Sequence, residues 1–409
     1  MNHPALTLAI FSLTYAVLAV GKLPRLRLDR TGAALAGAVA MIVTGALSEN
    51  DAWKAVDYRT LGLLLGMMIV VANLRLSGAF AAFTRALLLK ARSGPGMLAM
   101  TVAASGVLAA FFINDVVCLA LAPLLIEAAG MLSLDPVPFL LALATASNIG
   151  SAATITGNPQ NMIVAGFAHL RYGRFALHLA PVAIIGLAID YAVIAALHRD
   201  KLARMRRNTA ILRRQHLAVL KPLALKSALI AGGTLVMFAL GYPTHLVALS
   251  AGAILLFTRR VRPERVFGLV DWTMLLMFTG LFIVVAGAES TGFQNGLLAA
   301  VGVERMSNPV VLSLVTAALS NLVSNVPAVL LFRPLYPLLG GGYRTALLIA
   351  SASTLAGNLT VVGSIANLIV IEQARARRVR ILFMEYLKVG VPVTILTLAV
   401  NIVLLRAGL

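Results

Sequence analysis

The stretch SNIGSAATITGNPQNMIV, residues 147–164, carries two glycines, a proline, three asparagines and a glutamine. Hydroxyl residues, Ser151, Thr154 and Thr156 among them, add to its polarity, yet it holds no charge and is flanked by apolar sequence. In hydrocarbon, an unpaired backbone amide or carbonyl is costly, so non-helical backbone persists only inside protein or beside a polar cavity. The segment 137–168 is also longer than the roughly 20 residues that one helical crossing needs. A helix interrupted near Gly150–Pro159 accounts for both features. Such a break offers a half-helix carboxyl end, whose carbonyls suit a cation. After Pro159 it offers a half-helix amino end, whose N–H groups suit an anion or oxyacid.

The surrounding chain sets the class. It has 409 residues, of which 60% are hydrophobic and 12% charged. Long apolar runs recur at Ala5–Val20, Leu61–Leu74, Leu179–Leu197, Leu269–Ala288 and Val389–Leu405. A soluble domain cannot hide that many, whereas a polytopic membrane protein requires them. The formal charge of +19 sits in short loops between the runs, a topology signal rather than a nucleic-acid surface. Nothing basic precedes the first run, and Lys22, Arg25, Arg27 and Arg30 follow it, so it reads as a span rather than a signal peptide. The single cysteine, Cys118, excludes a disulfide framework and a multi-cysteine metal site.

The chain also repeats itself. VDYRTLGLLLGMMIVVANLRLSG (56–78) aligns without gaps on VDWTMLLMFTGLFIVVAGAESTG (270–292), an offset of 214. FFINDVV (111–117) answers LVSNVPA (322–328), and GNPQNMIV (157–164) answers GSIANLIV (363–370), at offsets of 211 and 206. Slowly shrinking offsets mean two copies of one unit, 1–197 and 222–409, joined by a basic linker over 198–221.

Loop charge orients the copies. Residues 198–226 hold nine Lys or Arg against Asp200, which predicts a cytoplasmic linker. Loop 75–96 is purely basic, while its equivalent 288–308 has Glu289, Glu304 and only Arg305. Residues 48–59 carry three acids and two bases, and their equivalent 258–271 carries four arginines and two acids. Equivalent loops therefore face opposite sides, as in inverted-repeat transporters. The resulting spans are 5–20, 31–47, 59–74, 137–168, 175–197, 222–239, 245–258, 269–287, 343–370 and 389–406. Two segments remain, 97–131 and 309–338, each with a polar apex between apolar arms. Arms of roughly 15 residues reach only about 23 Å, so re-entrant hairpins are predicted. Arg171 and Arg174 fall on the outer side in this scheme.

SNIGSAATITGNPQNMI, SNLVSNVPAVLL and AGNLTVVGSIANLIVIEQAR (within 147–163, 320–331 and 356–375) together resemble the ion-transporter superfamily. It includes ArsB-type arsenite permeases, plant silicon-efflux transporters, NhaD-type antiporters and divalent-anion/sodium symporters. The GNPQN and EQAR forms are most similar to the arsenite- and silicon-efflux branch. The resemblance implies an all-α elevator-type transporter, with about ten spans and hairpin tips that meet broken helices at mid-membrane. Carried over by residue, substrate binding falls to the tips Asn114 and Ser324-Asn325. It also falls to Asn148, Gly150, Thr154, Asn158 and Asn161 in the first broken helix, and to Asn358, Thr360, Ser364 and Asn367 in the second. Two departures stand out: the tips read IND and SNV rather than Ser-Asn-Thr, and Asn158 replaces an Asp frequent among relatives. Both weaken a dicarboxylate or sodium/proton reading.

Asp115 is the acid at either apex. Its neutral form, favoured in apolar surroundings, suits a proton carrier, and its ionised form suits a cation or a helix cap. Asp190 is expected to pair with a neighbouring span, Cys118 to be a small apolar residue, and Arg333 to snorkel beside the second hairpin. No Gly-Lys-Ser/Thr phosphate loop and no nucleophile–base or metal cluster among His3, His169, His178, His198, His216 and His245 argues for an enzyme or a cofactor. The expected function is proton-coupled export of arsenite, antimonite or silicic acid across a bacterial inner membrane. Sodium-coupled uptake of an inorganic or dicarboxylate anion and an uncoupled facilitator are the alternatives. A separate ATPase subunit and a homodimer remain open.

Overall fold

The computed structural model describes residues 4–23, 28–88, 91, 93–203, 219–296 and 302–408. Its regular structure is helical except for a short ladder pairing Lys22–Leu23 with Leu28–Asp29. Among the described residues, seven helices are long and apolar enough to cross a membrane. They are Tyr58–Leu76, Gly94–Phe111, Asn114–Met131, Tyr172–Leu197, Lys221–Ala239, Trp272–Glu289 and Phe383–Ala407. Shorter apolar helices, Pro4–Val20, Arg30–Val43, Val137–Ser151, Thr244–Leu256 and Pro309–Val323, pack among them.

The aligned Val-Asp pairs of the repeat become helix starts. Asp57 caps Tyr58–Leu76 by accepting from the Arg59 and Thr60 amides, and Asp271 caps Trp272–Glu289 by accepting from Met274 N. Each of these helices then meets a short helix from the other half of the chain, Tyr58–Leu76 against Thr244–Leu256 and Trp272–Glu289 against Arg30–Val43. The approach is backbone to backbone. A Cβ on Gly66 would lie 2.3 Å from the Ala248 carbonyl carbon, and one on Gly280 would lie 2.7 Å from that of Ala34. Small residues permit such contact between apolar helices.

A second layer holds the polar segments. The helix Val137–Ser151 ends, the chain passes through a 3-10 turn at Ile155–Gly157, and Pro159–Phe167 resumes. In the second half Tyr343–Ala356, the turn Val361–Gly363 and Ile365–Ala376 follow the same course. Gly94–Phe111 packs on Val137–Ser151, and Pro309–Val323 on Tyr343–Ala356. The returning arms cross over: Asn114–Met131 lies on Ile365–Ala376, and Asn325–Phe332 lies on Pro159–Phe167. Tyr172–Leu197 and Phe383–Ala407 close the layer by packing on each other.

The arms of the first hairpin are longer than expected. Each has 18 residues, about 27 Å of helix, so length alone does not keep it from crossing. In the second hairpin the arms have 15 and 8 residues. Its tip is strained, because Ser324 adopts φ +77 and ψ 157, a region that L residues avoid.

Lys201 gathers three loops at one face. Its Nζ lies 2.9 Å from Asp135 Oδ2 and 2.8 Å from Glu385 Oε1. At another place, Arg333 donates to the Ala55 carbonyl at 3.3 Å and stacks 5.9 Å over Phe282. It bounds a cavity of about 440 Å³ with Lys54, Arg59, His169 and Glu289. The centre of the basic linker, 204–218, lies outside the described residues, as do Lys90 and Arg92 of the loop 75–96 and residues 297–301 of the acidic loop.

Candidate functional site

Four helices begin at one place. Asn114–Met131 and Asn325–Phe332 start at the two hairpin tips, and Pro159–Phe167 and Ile365–Ala376 start after the two interruptions. Asn114, Asp115, Pro159, Gln160, Ser324, Asn325, Ser364 and Ile365 from these starts line a cavity of about 30 Å³. Met274, Met277 and Phe278 of Trp272–Glu289 form its opposing wall. The first-turn N–H groups and the aligned peptide dipoles at four amino ends favour negative charge or an oxygen-rich solute, although Asn158 caps Asn161 N and Ser364 caps Ala366 N.

Asparagines bind the two interrupted helices together behind the cavity. Asn148 is the hub: its Oδ1 accepts from Asn114 Nδ2 at 2.9 Å and from Ser364 Oγ at 3.0 Å. Its Nδ2 donates to Asn358 Oδ1 at 2.8 Å and to Asn367 Oδ1 at 3.1 Å. Asn358 Nδ2 in turn donates to the Thr145 carbonyl at 3.2 Å. On the other side, Asn158 Nδ2 reaches Ser151 Oγ at 2.9 Å and Thr354 Oγ1 at 3.2 Å, and Gln160 Nε2 donates to the same Thr354 oxygen at 3.2 Å.

The half-helix carboxyl ends are already occupied, contrary to the expectation that they present carbonyls to a cation. Asn161 Nδ2 donates to the Ser151 and Thr154 carbonyls at 3.0 and 2.8 Å. Asn367 Nδ2 does the same for Gly357 and Thr360 at 2.8 and 3.1 Å. What faces the cavity is the amino side of each break.

The sequence-predicted residues therefore divide. Asn114, Asp115, Ser324, Asn325 and Ser364 line the cavity. Asn148, Asn158, Asn161, Asn358 and Asn367 form the network behind it, and Thr154 donates to the Ala110 carbonyl. Thr360 Oγ1 donates to Asn321 Oδ1 at 3.3 Å. Gly150 does not reach the cavity, since a Cβ there would lie 2.2 Å from the Gly106 carbonyl oxygen. Sequence reasoning passed over Gln160, Asn321, Ser320 and Thr354. Ser320 Oγ donates to Asn325 Oδ1 at 2.5 Å and so orients the second tip. The motif alignment itself held their signal, because Gln160 lies in GNPQN and Ser320 and Asn321 open SNLVSN.

Asp115 sits in the first turn of its helix, half-buried, but the cap position is Ile113 and no side-chain cap bond forms. The carboxylate is not a helix cap. Cys118 turns away from the cavity, 3.1 Å from Ser147 Oγ. Neither Asp190 oxygen makes a well-formed hydrogen bond, and the neighbouring-span side chain beside it is Thr145 of Val137–Ser151.

A second chamber adjoins the cavity. A side chamber of about 210 Å³ shares Met274, Met277, Ser324 and Ile365 with it and runs to Asp29, Arg30 and Asp271. The chamber beside Arg333 shares no lining residue with it.

Comparison with known proteins agrees with a transporter. The chain is 29% identical to the silicon efflux transporter LSI3 of Oryza sativa subsp. japonica, with 93% of each chain covered. It is 29% identical to the inner membrane protein YbiR of Escherichia coli (strain K12), covering 80% of this chain and 82% of that one. It is 24% identical to a Dictyostelium discoideum protein named as an arsB transporter, covering 92% of this chain and 87% of that one. The fold matches the crystal structure of the Alcanivorax borkumensis YdaH transporter with a TM-score of 0.59 at 16% identity, over 99% and 98% of the two chains. The family model described as citrate transporter matches residues 15–338, most of the length, so this multi-pass membrane protein belongs to the citrate transporter family.

Proposed function

We propose that the chain is a secondary transporter of a bacterial inner membrane that exports a small oxyacid, arsenite, antimonite or silicic acid, in exchange for protons. The observation that carries this reading is the meeting of four helix amino ends and two tip amides, Asn114 and Asn325, around one carboxylate, Asp115. Uncharged amides and N–H groups suit a polyhydroxylated solute, and Asp115 supplies a group that can trade a proton for it. The compact cavity, about 30 Å³, favours a small solute over a tricarboxylate. The names of the silicon-efflux and arsB relatives point to the same solutes.

The halves 1–197 and 222–409 are read as inverted repeats, joined by the cytoplasmic linker 198–221. Support comes from the aligned offsets, the reversed loop charges and the reciprocal crossing of the hairpin arms over the opposite interrupted helix. In this reading, the layer of hairpins and interrupted helices moves as an elevator against Tyr58–Leu76 and Trp272–Glu289. The substrate is held by Asn114, Ser324, Asn325 and Ser364, with Asn148, Asn158, Asn161, Asn358 and Asn367 fixing the geometry.

A second reading, sodium-coupled uptake of an inorganic or carboxylate anion, is favoured by the four amino ends and by the family's description. Inverted vesicles separate the two. Arsenite or silicic acid should accumulate under a proton gradient and stop when that gradient is collapsed. Asp115→Asn should lose accumulation yet still exchange solute across the membrane. Accumulation of citrate or succinate alone, driven by sodium, refutes the proposal.

A further inference from the structure

Tyr172–Leu197 and Phe383–Ala407 are matched along their shared seam. At an offset of 211, Pro181 corresponds to Pro392, Phe175 to Tyr386, Val182 to Val393 and Asp190 to Asn401. Each helix turns its matched residues inward, and both Asp190 and Asn401 are 0% exposed. Neither has a hydrogen-bond partner for any side-chain oxygen or nitrogen. A polar side chain sealed in the interior with nothing bonded to it is costly, and an ionised carboxylate there is costlier still. At the equivalent position the second half carries an uncharged amide, Asn401, the isostere of a protonated aspartate.

The neighbours of Asp190 agree. Thr145 of Val137–Ser151 lies beside it, but that hydroxyl donates to the Leu141 carbonyl at 2.8 Å. Its proton is thus committed, and its lone pairs are free to accept from a neutral carboxyl. The phenol of Tyr386, itself buried and unpartnered, lies within electrostatic reach from the last helix. Gly94–Phe111 and Val137–Ser151 bring no titratable side chain to the seam. On Lys221–Ala239, Lys221 is exposed and Lys226 donates instead to the Ile254 and Phe257 carbonyls at 2.8 and 2.7 Å. Tyr343 and Arg344 begin Tyr343–Ala356 near Arg174, at the opposite end of Tyr172–Leu197 from Asp190.

A histidine stands at one end of the seam. His198 lies eight residues beyond Asp190, on the same helical stripe through buried Ile194, about 12 Å along the axis. Its Nδ1 is buried without a partner, and its Nε2 lies 3.8 Å from Glu385 Oε1, the residue before Tyr386. Burial lowers the proton affinity of His198, so near neutral pH the ring is free to accept a proton and pass it on. Lys201 and Asp135 close the same face.

We propose that Asp190 is a proton-binding site of the moving layer, separate from Asp115 and loaded through His198 from the face that carries Lys201. A proton from water binds the imidazole, crosses the intervening turns along water admitted to the seam when the layer moves, ends on an Asp190 oxygen, and leaves the imidazole neutral again. Occupancy is felt at the substrate network through Thr145, whose carbonyl holds Asn358 and whose helix carries Asn148 one turn later. The proposal rests on the transporter reading for its purpose but not for its detection.

Dicyclohexylcarbodiimide, which modifies protonated carboxyls in apolar settings, tests it on the purified full chain carrying Asp115→Asn. Peptide mass spectrometry should find Asp190 modified, with labelling falling at least tenfold between pH 6 and pH 9. His198→Gln should leave the end points unchanged and slow the response to a pH jump about tenfold. In vesicles of the Asp115→Asn chain, adding Asp190→Asn should remove the pH dependence of solute exchange that remains, without stopping exchange itself. Labelling that is absent or independent of pH overturns the site, and an unchanged response in His198→Gln overturns the route. If labelling titrates but no solute moves in any variant, the transport reading fails and the proton site stands.

Discussion

Replacing Asn148 with alanine removes the side chain that ties the two interrupted helices to the first hairpin tip. Four hydrogen bonds disappear together, to Asn114, Ser364, Asn358 and Asn367. Asn358 and Asn367 keep their other donors engaged, so the network is weakened rather than emptied. At about 0.6–1 kcal/mol per bond within a membrane protein, the loss comes to about 2–4 kcal/mol. For a chain this large, about 2 °C per kcal/mol translates that into a drop of about 4–8 °C in unfolding temperature. The single, buried cysteine provides the assay. A thiol-reactive fluorogenic maleimide reports when Cys118 becomes exposed on heating in mild detergent, with no added label site. Asn50→Ala, on an exposed helix turn, serves as the control and should not shift the curve. A drop below about 1 °C for Asn148→Ala, with native yield, would show that the hub does not hold the halves together.

Gly150→Ala should destabilise the chain by about 1–3 kcal/mol or more, because the new methyl meets the backbone of Gly106, whereas Gly130→Ala, with open space around it, should be neutral or mildly stabilising in the same heating assay. Ser324→Gly should raise the unfolding temperature by about 2–6 °C, since it removes about 1–3 kcal/mol of backbone strain at the second tip; a fall would mean that the serine hydroxyl matters more than its φ. Single cysteines placed at Lys201 and Lys54 in a Cys118→Ala background should label from opposite sides of the membrane, and labelling of both from outside intact cells would refute the charge-derived orientation.

Much of the layout was legible because polar residues in hydrocarbon have few permitted roles. Asn148, Asn158, Asn161, Asn358 and Asn367 stood out against apolar neighbours, and all five proved to be buried and bonded across the interruptions. Their division of labour was not legible. Whether an asparagine faces solute or caps a carbonyl depends on a rotation that periodicity does not record, so Asn161 and Asn367 read as ligands when they seal helix ends. Gly150 looked like part of a break and is a contact point, because a missing Cβ signals either. Gln160 was overlooked between two more conspicuous neighbours, although it stands at a helix start on the cavity wall. The meeting of Asp190 with Tyr386 needed both closing helices to be placed together, a pairing 196 residues apart in the chain that has no local signature.

The crossing of each returning arm onto the other half has a consequence for synthesis. Asn148 and Asn358 are separated by 210 positions along the chain. At about 5–20 residues per second, the first interrupted helix waits roughly 10–40 s for its partner to leave the ribosome. Throughout that interval the Asn148 side chain has no Asn358, Asn367 or Ser364 to bond, and Asn114–Met131 has no Ile365–Ala376 to rest on. The nascent first half is therefore an unfinished surface that must be shielded by the insertion machinery or by lipid rearrangement. Nonsense or frameshift lesions anywhere before residue 376 should yield fragments that are cleared rather than stored, however well their own helices insert.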